Sequence, residues 1–153
     1  MFTSDEKKDL TRRFWHELND KLTISGKMNG RNIDWMNYPN KINHLYFRME
    51  STIEYAKFCV DIQFLDAGVR EVFFEQFEEF KMVLSKKMPH ELVWLKSFEH
   101  SNGKTISRIY SEINNVSVYN EGDWPKTHQF LVDNFIAFDG FWQEFGEVFR
   151  NLK

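Results

Sequence analysis

The chain has 153 residues, 42% of them hydrophobic and 28% charged, which suits a single folded domain spanning 1–153 and excludes a disordered chain. Its 20 Lys and Arg against 23 Asp and Glu leave a net charge of −3, without the basic excess of a standalone nucleic-acid binder. Sixteen Phe, five Trp and five Tyr beside only seven Gly and three Pro point to long regular elements around an aromatic core.

A helix is predicted over residues 4–24. Thr3 and Glu6 have capping-box spacing, and Leu10, Phe14, Leu18 and Leu22 recur every four residues with Trp15 beside them. Residues 25–42 carry the turn signals Ser25-Gly26, Asn29-Gly30 and Tyr38-Pro39-Asn40, with Ile33, Trp35, Met36 and Tyr38 among them. That mixture reads as an ordered loop folded over the core and covering a sheet edge.

Two strands follow, at 44–50 and 57–65, as an antiparallel pair. Leu45, Phe47 and Met49 alternate with polar neighbours in the first, and Phe58, Val60, Ile62 and Phe64 in the second. One helix is expected from Asp66 to about Met88 on the stripe Val69, Phe73, Phe77, Phe80 and Leu84, ended by Pro89. A second hairpin, 91–99 and 104–113, flanks Asn102-Gly103, a pair suited to a type I′ turn. A two-residue loop there sets Glu99 opposite Ile106, Ser97 opposite Arg108 and Leu95 opposite Tyr110. It also places Leu92, Trp94, Phe98, Ile109 and Ile113 on one apolar face.

A short fifth strand is expected over Val116–Tyr119, then a helix from Pro125 to Leu152. In that helix Leu131, Phe135, Phe138, Trp142, Phe145, Phe149 and Leu152 form a heptad seam, widened by Phe130, Phe141 and Val148. Gly140 is the place for a kink or a close approach. The order is α-β-β-α-β-β-β-α. It describes an α+β domain with an antiparallel sheet of about five strands packed by three helices.

Motifs for chemistry are sparse. Gly103-Lys104-Thr105 resembles the end of a phosphate-binding loop, but Phe98 stands where the first glycine belongs, and a hairpin explains the triplet. A magnesium-dependent nuclease needs Glu or Asp two residues before Lys on a strand. The matching triplets, at 5–7, 6–8 and 79–81, fall on predicted helices. His16, His44, His90, His100 and His128 make no metal-binding spacing, and the lone Cys59 suits packing. No cofactor and no metal are expected.

The remaining candidate is the polar face of the sheet. His44, Tyr46, Arg48 and Glu50 of the first strand share it with Asp61 and Gln63 of the second, and Arg108 joins them as a binding candidate from the second hairpin. Such a face suits a ligand or a protein partner through charge-assisted hydrogen bonds. A simply wet sheet face is the plainer account and is weighed more heavily. One cysteine, no apolar run near the ~18 residues of a membrane span and no apolar leader lead to the expectation of a cytoplasmic protein.

At Arg13-Phe14-Trp15, Leu45-Tyr46-Phe47-Arg48, Phe77-Glu78-Glu79-Phe80-Lys81, Leu92-Val93-Trp94 and Ser107-Arg108-Ile109 the chain resembles an uncharacterised bacterial family, domain of unknown function four-two-six-eight. The resemblance implies a small α+β domain, found alone or behind restriction-endonuclease-like domains in longer proteins. By association that company implies a nucleic-acid-related or assembly role. It supplies no catalytic residues.

The leading expectation is a non-enzymatic interaction domain that self-associates as a homodimer through the aromatic face of the last helix. A nucleic-acid-associated module using the polar sheet face is the alternative. A small-molecule binder under the 25–42 loop is the third reading.

Overall fold

The structure is a computed structural model and describes residues 1–152. Helix α1 runs Ser4–Met28, one turn beyond the expectation. Its capping box forms as the spacing required, the Thr3 hydroxyl accepting from the Glu6 amide and the Glu6 carboxylate from the Thr3 amide. Strands β1 (Leu45–Ser51) and β2 (Tyr55–Ile62) follow, joined by a turn that Thr52 closes through its hydroxyl to the amides of Glu54 and Tyr55.

The helix expected over 66–88 is two, α2 (Ala67–Glu79) and α3 (Lys81–Lys87). The break is at Phe80, whose ring turns into the rings of Phe141, Phe145 and Phe149 at 4.7–5.8 Å. Strands β3 (Val93–Glu99) and β4 (Thr105–Asn114) precede α4 (Trp124–Arg150). The sheet has four antiparallel strands in the order β1-β2-β4-β3.

The expected fifth strand is absent. Asn115, at φ +62°, turns the chain, and Val116 and Val118 instead donate their amides to the carbonyls of Glu54 and Thr52 at the β1–β2 turn. Ser117 donates its amide to the Asp123 carboxylate, and Val118 accepts from the Trp124 indole, so side chains take groups a ladder would use.

The second hairpin also departs from expectation. Its loop has three residues, Ser101–Gly103, with Gly103 at φ +84° and His100 paired with Lys104. The register moves by one, so Phe98 faces Ile106, and a bulge between Leu95 and Phe98 then sets Leu95 against Arg108. Trp94 stays with Ile109 on the helix side, while Phe98 crosses to the opposite face.

Helices α2 and α4 pack on one face of the sheet, with α1 and α3 against α4. Phe47 and Phe58 pack on Phe138 of α4 at 4.7 and 5.4 Å, and α1 packs along α4 through Phe14 against Trp124 and His128. Helix α4 is therefore enclosed by the sheet, α1 and α2–α3. Phe130 and Phe141 are buried within the chain against His90 and Phe80, while Val148 stays exposed. The width of the α4 stripe is thus filled internally.

The loop after α1 is ordered, as expected. Trp35 packs on Phe135 at 5.2 Å and Tyr38 stacks on the same ring, filling the space beneath the loop. Asp139 of α4 clamps it, accepting two hydrogen bonds of 3.0 Å from Arg31 and one from the Tyr38 hydroxyl. Burial pushes the Tyr38 phenol well above its ordinary pKa, and the Asp139 bonds hold the Arg31 guanidinium above its own. The loop meets β1 where the Asn40 side-chain amide donates to the Leu45 carbonyl and where the Tyr38 ring lies 5.1 Å from that of Phe47.

The loop explains Gly26, where a Cβ would sit 2.8 Å from the Trp35 indole. Gly26→Ala is expected to destabilise the chain by about 1–3 kcal/mol, overriding the roughly 1 kcal/mol gain in helix propensity. The readout is a lower melting temperature with altered tryptophan emission. An unchanged melting temperature would refute the close approach.

His128 bridges α4 and α1. Its Nε2–H donates to the Phe14 carbonyl at 3.0 Å, and its Nδ1 accepts from the Lys21 ammonium at 2.9 Å. Burial, reinforced by the Lys21 charge, pushes its pKa down to about 4. The native ring stays neutral where an unfolded histidine, with pKa near 6.5, has taken a proton. Stability is therefore full above about pH 6.5 and is lost as pH falls towards 4, by about 2 kcal/mol at pH 5. Urea midpoints at pH 7 and pH 5 measure this, and His128→Gln should flatten the difference. Equal pH dependence in wild type and variant would contradict it.

Candidate functional site

The sheet face away from the helices carries Tyr46, Arg48 and Glu50 from β1, Tyr55, Lys57, Cys59 and Asp61 from β2, and Ile106, Arg108, Tyr110 and Glu112 from β4. The register sets Tyr46 opposite Asp61, Arg48 opposite Cys59 and Asp61 opposite Arg108. The centre of this face is dry: Asp61 is 0% exposed and Arg108 3%.

Arg108 Nε and one terminal nitrogen donate to Asp61 at 2.7 and 3.0 Å, and its terminal nitrogens donate to Glu50 at 3.0 and 3.3 Å. Two forked pairs on one planar guanidinium are the geometry that distinguishes Arg from Lys. Burial alone would lower the pKa of this guanidinium, but the Asp61 hydrogen bonds and the carboxylate charges hold it above its ordinary value. Phe98 covers the cluster, its ring 4.9 Å from the guanidinium carbon. The bulge in β3 and the one-residue shift of the loop are what bring it there.

The flanks repeat the pattern of a cation on an aromatic ring. Lys57 lies 4.5 Å from the rings of both Tyr55 and Tyr110, and Arg48 lies 4.2 Å from Tyr46. Cys59 beneath them is fully buried, and burial raises its thiol well above the usual range, so it is protonated and inert. Beside the cluster opens a cleft of about 420 Å³ between Glu50, Lys57, Arg108, Phe98 and His100, with Trp15 at one end. The Ser51 hydroxyl is buried there without a hydrogen-bond partner.

Of the residues singled out in the sequence, Glu50, Asp61 and Arg108 form the cluster, and Tyr46 and Arg48 stand on its flank. His44 and Gln63 lie past the strand ends, joined by the Gln63 amide donating to the His44 carbonyl, and bond to no member of the cluster. Sequence reasoning missed Phe98, Lys57, Tyr55, Tyr110 and Glu112. The alternation of β2 and β4 placed the last four on this face, whereas Phe98 required the loop length.

The family model described as Domain of unknown function (DUF4268) matches residues 10–146. The chain belongs to that family. No curated protein and no solved structure matches it. Within the matched span Phe14, Leu45, Phe47, Phe77 and Ile109 are buried in the core, Trp94 packs against it, and Arg108 is the centre of the buried ion cluster. Among the described residues no helix is long and apolar enough to cross a membrane.

Proposed function

We propose that this DUF4268 domain is a non-enzymatic interaction domain whose working surface is the helix-free face of the sheet, and that it recognises a protein segment. The observation that carries the reading is the pre-organised, charge-balanced cluster beside the open cleft. Arg48, Lys57 and Arg108 are matched by Glu50, Asp61 and Glu112, so the face has no net positive field to gather a phosphate backbone. Its cations already lie on aromatic rings or between carboxylates, and side chains locked in this way lose little freedom when a partner docks. Arg108 and Asp61 are engaged with one another, and Cys59 is buried. That suits recognition rather than turnover. Aromatic surface ringed by fixed polar groups is the composition of protein interfaces.

Selection from a displayed peptide library against the wild-type domain tests this, with counter-selection on the Lys57→Glu, His100→Ala variant after circular dichroism shows it folded. Peptides that need the unaltered cleft are the expected result. Peptides bound equally by both proteins, or no enrichment at all, would refute it.

A further inference from the structure

The two edges of the sheet are treated differently. Strand β3 is guarded: it is bulged between Leu95 and Phe98 and exposes Lys96 at the bulge. Bulges and lysines are the usual means by which a sheet edge is kept from pairing. Strand β1 has neither. Its seven residues, Leu-Tyr-Phe-Arg-Met-Glu-Ser, hold an unbroken register with β2 and contain no Pro, Gly or Lys. Among the described residues, positions 46–51 make no backbone hydrogen bond outside that ladder; the loop before β1 bonds the backbone of Leu45 and lays the Tyr38 ring on Phe47. Because His44 and Thr52 bond inward to Gln63 and Tyr55, the amides and carbonyls of Phe47, Met49 and Ser51 face outward; Phe47 is 4% exposed, so the open part of the template is Met49 to Ser51.

We propose that the β1 edge pairs antiparallel with the β1 edge of a second copy of this chain, joining two four-stranded sheets into one of eight strands. The charges choose both the occupant and the register. A two-fold axis keeps outward side chains opposite outward ones, so the axis passes through a residue pair. An axis at Arg48 would set Arg48 against itself. An axis at Met49 sets each Arg48 opposite Glu50 of the other copy, with Met49 against Met49. Arg48 is exposed, lies over the Tyr46 ring and makes no ion pair among the described residues, and the Glu50 side chain is still 32% exposed after binding Arg108, with lone pairs to spare. The edge borders the cleft at Glu50 and Ser51, but self-association is read by sedimentation and peptide recognition by selection, so the two readings fail separately.

Sedimentation velocity on the purified chain is the first test, and a dimer at tens of micromolar is expected. Arg48→Glu sets carboxylate against carboxylate at two symmetric positions. It should weaken the dimer by about tenfold or more while leaving the fold intact. Met49→Cys places two thiols directly opposite each other and should give a disulfide-linked dimer on mild oxidation, Cys59 being buried. A wild-type monomer at these concentrations overturns the proposal. So does a dimer indifferent to Arg48→Glu, or a Met49→Cys protein that stays uncrosslinked.

Discussion

Arg108→Ala is expected to destabilise the domain by about 3–5 kcal/mol, a large share of the ~5–15 kcal/mol that holds a domain of this size. The substitution leaves Asp61, wholly buried between β1 and β4, without its counter-charge, and strips Glu50 of both its hydrogen bonds. Most of the loss comes from the stranded carboxylate rather than from the attraction itself, because taking the charges out of water offsets much of that attraction. The double substitution Arg108→Met with Asp61→Leu should therefore recover most of the loss, Glu50 being open enough to hydrate. Urea unfolding of wild type, both single variants and the double variant gives the coupling. A loss under about 1 kcal/mol for Arg108→Ala would mean that water reaches the cluster and that the face is wet after all.

Phe138→Ala is expected to be comparably severe, at about 3–5 kcal/mol. Phe138 stands where three layers meet: its ring lies 4.7 Å from Phe47 and 5.4 Å from Phe58 of the sheet, 6.4 Å from Phe77 of α2 and 5.5 Å from Phe141 along its own helix. These neighbours are large rings held on separate elements, so they cannot collapse into the vacated space without moving β1 or α2. Val148→Ala, on the exposed side of the same helix, should change stability by less than about 0.5 kcal/mol. Thermal unfolding of the pair reads the contrast. Equal small effects would contradict the enclosed position of α4 and return its seam to the surface.

That enclosure bears on what the sequence could tell. The heptad stripe of α4 was plain, and so was its excess width. The excess reads equally as a dimer face or as a helix covered on three sides, because periodicity counts apolar positions without saying what lies against them. Phe130 and Phe141 meet His90 and Phe80, residues some forty to sixty positions away. The break at Phe80 was hidden for the same reason: no Gly or Pro marks it, and only its packing into α4 produces it.

The candidate site divides similarly. Alternation along β1 and β2 put Tyr46, Arg48, Glu50 and Asp61 on one face correctly, since period two survives changes of strand boundary. The state of that face was not legible, because alternation distinguishes sides of a sheet and not wet from dry. Phe98 turned on a single residue of loop length. With two residues in the turn it belongs to the core face, and with three, Gly103 taking the left-handed position, it roofs Arg108.

The central claim is that the helix-free face recognises protein through a balanced set of charges around a paired, buried centre and neither gathers phosphates nor cuts them. Titrating the domain into fluorescein-labelled single- and double-stranded DNA, from low to physiological salt with Mg²⁺ present, tests it most directly. The account predicts flat anisotropy throughout and intact DNA, in line with the matched cations and carboxylates of the face. Binding that tightens as salt is lowered, weakened alike across sequences by Arg48→Ala, or any strand cleavage, would contradict it.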